Sequence, residues 1–127
     1  MQTTTSIKKI TGNHEEWKNT LGFYKDELNV FKHRLIEIVA KNNGKEIMQM
    51  VEHFQNQFLV QSENIDILRH DINEHLKRMA TEIQLHAGHI DKEELPVHFL
   101  LKDRYENEQK IFTELKEEFQ QFLSKVM

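Results

Sequence analysis

Apolar residues recur at alternating spacings of four and three along most of this chain, a rhythm that leaves few folds open. The first run reads Trp17, Leu21, Tyr24, Leu28, Phe31, Leu35, Ile38, with no position missed. The second reads Ile47, Val51, Phe54, Phe58, Gln61, Ile65, Leu68, Ile72, His75, Met79, Glu82, His86, and the third His98, Leu101, Tyr105, Glu108, Phe112, Leu115, Phe119, Phe122, Val126. A stripe of this period stays on one side of a helix and is buried only against other helices. The pattern therefore predicts an all-α fold of long, coiled-coil-like helices.

Local signals set the expected ends. Asn13 followed by Glu16 has the form of a capping box, and the Asn-Asn-Gly run ending at Gly44 reads as a helix stop, so the first helix is expected over about 14–43. Residues 1–13 are then a flexible N-terminal tail. Gly12 argues against a helix through it, although Ile7 and Ile10 keep the phase of the seam. The second helix is expected over about 45–87 and the third over about 96–127, with Pro96 in its first turn. Short turns make neighbouring helices antiparallel, which predicts one domain, 14–127, an up-down-up antiparallel three-helix bundle.

Composition agrees with a helical globular chain: 127 residues with one proline, four glycines and 38% hydrophobic residues. With no cysteine, disulfides, thiolate metal sites and thiol catalysis are excluded. The formal charge of −4 comes from 17 basic and 21 acidic residues interleaved along every segment, so no basic stripe offers itself to nucleic acid. No run approaches the ~20 apolar residues of a membrane span, and the start lacks the apolar stretch of a signal peptide; a cytoplasmic protein with no membrane partner is the expectation. Phosphate-binding loops and nucleophile elbows are absent, so nothing in the sequence demands catalysis.

Residues opposite one another follow from the two turns. Across the first, Leu35 is set against Phe54 and Trp17 against Ile72. Across the second, Leu68 is set against Leu115, Ile72 against Phe112 and Met79 against Tyr105. Residues 75–108 then form a hairpin projecting past Trp17, open to a protein partner.

The polar seam positions stand out against this background. The same pairing levels His75 with Glu108, and His14 arrives there in phase with the first seam, while His98 lies farther out on the hairpin. One reading is a polar layer in which His75 and Glu108 fix the register, as a buried Asn does in a coiled coil. The other is a metal site: two imidazoles and a carboxylate suit zinc or non-haem iron, with His14, His75 and Glu108 as ligands and His98 as a fourth. Gln61 is a second polar layer. His33, His53 and His70 fall off the seam and are expected in solvent.

Two fragments, "HDINE" and "HFLLKD", have spacings found in hemerythrin-like di-iron bundles, but His70 and Asp103 fall on outer faces, and no Glu-x-x-His pair of the ferritin-like kind occurs within the three helices. A second apolar set lies outside the seams: Phe23 and Val30 one heptad apart, Val60 and Ile67 likewise, and Leu76, Ile83, Leu85, Phe99 and Leu100 on the hairpin. Apolar surface of this extent marks an interface, here a homodimer through Phe23, Val30, Val60, Ile67, Leu76 and Ile83.

The run "VEHFQNQFLVQSENIDILRHDINEHLKRM", with "FYKDELNVFKHRLIEIV" before it and "IFTELKEEFQQFL" after it, resembles a group of small uncharacterised helical bacterial proteins. The resemblance implies a bacterial cytosolic bundle and no particular activity. The leading expectation is thus a self-associating interaction or scaffold bundle without cofactor, with a metal-binding bundle as the alternative.

Overall fold

The computed structural model describes the backbone of residues 2–85 and 94–126 and the side chains of 12–81 and 96–126. Three helices make up the fold, α1 (Gln2–Lys41), α2 (Lys45–Leu85) and α3 (Glu94–Val126), and no strand occurs among the described residues. At 1.5 Å per residue they are about 60, 61 and 50 Å long. Each buries the seam its sequence announces. Leu21, Leu28, Leu35 and Ile38 of α1, Val51, Phe54, Phe58, Ile65 and Ile72 of α2, and Leu101, Phe112 and Phe119 of α3 retain almost no exposure.

The middle of the core is aromatic. Phe119 has ring centroids 5.1 Å from Phe31, 5.1 Å from Phe54 and 5.0 Å from Phe58, the last edge-on. Tyr24 stacks on Phe112 at 4.0 Å. Rings of this size contribute most of the apolar area in a narrow bundle, roughly 1.5–3 kcal/mol for each one fully buried.

α1 begins well before residue 14. The backbone of 2–13 belongs to the same helix, which runs through Gly12 and past the expected cap at Asn13. A Cβ added to Gly12 would meet nothing within 4 Å, so this glycine serves neither a turn nor a close approach. Its cost of about 1 kcal/mol is too small to stop a helix otherwise in phase. α1 and α2 are thus almost equal in length, and the tip of the expected hairpin, 86–93, lies outside the described residues.

The α1–α2 connection is three residues, 42–44. Asn42 closes α1 twice over, its backbone N–H and its side-chain amide both donating to the Ile38 carbonyl at 2.9 and 3.1 Å. Gly44 opens α2, accepting from Met48 N–H at 3.0 Å, so it acts as an N-cap and not as a left-handed stop. So short a link ties the two helices to one register: Lys25 donates to Asp66 at 2.6 Å, and His14 lies against His75.

The α2–α3 register differs from expectation. Phe58 faces Phe119, Arg104 donates to Asp71 at 2.8 Å, and His75 shares its layer with His98 in place of Glu108, ten residues farther along α3. The repeat of the seam explains the discrepancy. Sliding one seam past another by a whole number of its three- and four-residue steps, here ten residues, again sets apolar against apolar, so pairing by hydrophobicity is degenerate.

A candidate three-histidine metal centre

His14, His75 and His98 come one from each helix, and each offers a ring nitrogen within 4.8 Å of the other two. His14 and His75 are completely buried, and His98 is 6% exposed. The ring centroids of His75 and His98 each lie 5.0 Å from that of His14. Each arrives by simple periodicity: His14 stands three residues before Trp17, His75 three after Ile72, and His98 three before Leu101, all seam positions.

An aromatic wall backs the cluster. Trp17 lies 4.9 Å from His14 and stacks on His98 at 5.4 Å and 18°, and Tyr105 stacks on Trp17 at 5.4 Å and 21°. The Tyr105 hydroxyl, raised above its ordinary pKa by burial, bonds Thr20 and Gln109. The rings of His14 and His98 thereby both pack against Trp17.

Burial, and secondarily the charge of His14, lowers His75 from 6.5 to about 4; Arg78 acts in the same direction. His98 is lowered to about 4 by burial, then by His14, His75 and Lys102. Both rings are therefore neutral at pH 7, the form that ligates metals. The Nδ1 of His98 is buried with no hydrogen-bond partner among the described residues. Buried polar atoms are normally satisfied, and a vacancy on an imidazole nitrogen is where a metal bond fits.

The dimensions suit an ion. An ion central to three nitrogens no more than 4.8 Å apart would lie about 2.8 Å from each, so closing to a zinc–nitrogen distance of about 2.0–2.1 Å asks each ring to shift by under about 1 Å.

Of the residues expected in the site, His14, His75 and His98 converge and Glu108 does not. Glu108 is buried in a separate polar layer with Gln61. With its amide nitrogen toward the carboxylate, Gln61 donates to Glu108 Oε1 at 2.5 Å. Burial raises the Glu108 carboxyl to about 7. The second polar layer expected at Gln61 is therefore real, and Glu108 is its other half. His98 replaces it at the histidine layer because the α2–α3 register is displaced by ten residues, three steps of the seam.

His33, His53 and His70 are exposed, as expected from their positions off the seam, and His53 Nε2 faces Glu118 Oε1 at 3.1 Å. Asp103 is exposed as well, so of the two di-iron-like fragments only His98 enters the histidine cluster. Among the interface candidates, Phe23, Val30, Val60 and Ile67 are exposed while Leu76 is half-buried against the core; the side chain of Ile83 lies outside the described residues. Phe23 lines the α1–α2 groove beside Arg69, and Ile67 the α2–α3 groove with Asn107 and Ile111. The two residues thus line different grooves. No helix among the described residues is long and apolar enough to cross a membrane. Comparison of the chain with family models, curated proteins and solved structures finds no match.

Proposed function

We propose that this chain is a metal-binding helical bundle whose centre is His14, His75 and His98, taking one zinc ion per chain. The observation that carries this reading is the convergence of three buried imidazoles, one per helix, with ligand atoms within 4.8 Å. Zinc is favoured over non-haem iron because the carboxylate of the usual two-histidine facial triad, expected at Glu108, belongs to a different layer. The helices run up, down and up in coiled-coil fashion in this reading. Its support is that early residues of α1 meet late ones of α2, as Lys25 meets Asp66, whereas Trp17 and Tyr24 meet Tyr105 and Phe112 in ascending order along both helices.

Elemental analysis after incubation with zinc and removal of excess tests the proposal. One zinc per chain is expected, falling at least tenfold in affinity in His75→Ala and in His98→Ala while Glu108→Gln retains it. Retention of zinc by both histidine variants, or none bound by the parent, would overturn the assignment.

Self-association is a second reading, favoured by the exposure of Phe23 (60%), Val30 (57%) and Ile67 (56%). A dimer by sedimentation that dissociates in Ile67→Glu would support it. A monomer at high concentration would end it.

A further inference from the structure

We infer that the groove between α2 and α3 beside Glu108 binds a small primary alkylammonium ion, at a site separate from the histidine layer. The groove has a volume of about 240 Å³, and its wall includes Glu108, Arg104, Asn64, Asn107, Ile67 and Ile111. Pockets for drug-sized ligands run from roughly 300 to 1,000 Å³, so the guest that fits here has only a few heavy atoms. Glu108 lies ten residues beyond His98, about 15 Å along α3, so the groove and the histidine layer are distinct.

Glu108 is only 6% exposed, and the partner that engages it is neutral: Gln61 donates to its Oε1 at 2.5 Å with the amide nitrogen turned toward the carboxylate. Burial alone raises its carboxyl, and no charged neighbour contributes. Arg104, the cation in the groove wall, donates instead to Asp71 at 2.8 Å. A buried carboxylate that no cation meets is costly, and an ion entering along the groove removes that cost.

The lining also matches the rest of such a guest. A carboxylate has about four lone-pair sites, more than one Gln61 amide takes up, and a primary ammonium has three N–H donors to place. Glu108 can accept one of them and the side-chain carbonyls of Asn64 and Asn107 the others, while Ile67 and Ile111 offer apolar surface to the alkyl chain.

The test is an NMR titration of the isotopically labelled full chain at pH 8, where a carboxyl raised to about 7 is mainly ionised. The probe is n-butylammonium at constant ionic strength. Controls are n-butanol, which lacks the charge, and tetramethylammonium, which lacks the N–H donors. A saturating change in the amide resonances of Asn64, Asn107 and Ile111 at one ion per chain, absent with both controls, is the expected result. Glu108→Gln should weaken binding at least about tenfold, and Asn107→Ala, at an exposed position, by about twofold to tenfold. No saturating change, an equal response to either control, or undiminished binding in Glu108→Gln would overturn the site and leave the metal centre standing.

Discussion

Glu108 and the rings of His75 and His98 respond to burial in opposite senses, and each sense has a consequence for stability. A carboxyl raised to about 7 from 4.5 keeps a proton in the folded chain that the unfolded chain has released. Its contribution is full below pH 4.5 and is lost as pH rises through 7. His75 and His98, lowered to about 4, contribute above 6.5 and lose that contribution as pH falls toward 4. Subtracting one protein from another separates the two effects. Glu108→Gln, in chelator-treated protein, should gain roughly 1–3 kcal/mol on the parent between pH 4.5 and 8, read by urea unfolding. A difference that does not vary with pH would show that Glu108 titrates normally. Gln61 can donate its amide to an ionised Glu108 or accept from a protonated one, so it serves both states. Gln61→Leu should cost about 1–3 kcal/mol by leaving the buried carboxyl without that partner.

At the scale of the helices, α1 makes the clearest contrast between local signal and outcome. Its apparent start, Asn13 with Glu16, lies inside the helix, and Gly12 faces open space. Gly12→Ala should therefore stabilise the protein by about 0.5–1 kcal/mol, a rise in melting temperature of a few degrees. A fall would show that the glycine meets a demand of backbone or packing. In α3, Phe119 touches Phe31, Phe54 and Phe58, so it ties all three helices through one ring. Phe119→Ala should cost about 3–5 kcal/mol, read by denaturant midpoint at unchanged slope.

For the whole molecule, the histidine layer is a tie between all three helices at one end of the core. A metal that binds only the folded chain stabilises it by mass action, about 2.7 kcal/mol at one hundred times the dissociation constant. Zinc should raise the melting temperature of the parent in a concentration-dependent way and leave that of His98→Ala unchanged. An equal rise in both would place the ion elsewhere on the molecule. The two polar layers also restrict which heptad alignments are acceptable. An alignment one heptad away would set Leu68 or Phe54 in the place of Gln61 and leave Glu108 buried without a partner.

What the sequence by itself determined is membership of the seams. Trp17 through Ile38, Val51 through Met79 and Leu101 through Phe122 are buried or half-buried where the spacing of four and three places them, and His33, His53 and His70 are outside. That much is local, because which side of a helix a residue occupies depends only on its neighbours in the chain. The α1–α2 register was legible too, since three connecting residues leave no freedom to slide. Which polar residues meet was decided by tertiary structure. The pairing of α2 with α3 is degenerate to any test of apolar matching, because seam positions recur every three or four residues. Packing of side chains of particular shape selected the alignment that unites His75 with His98 and leaves Glu108 to Gln61.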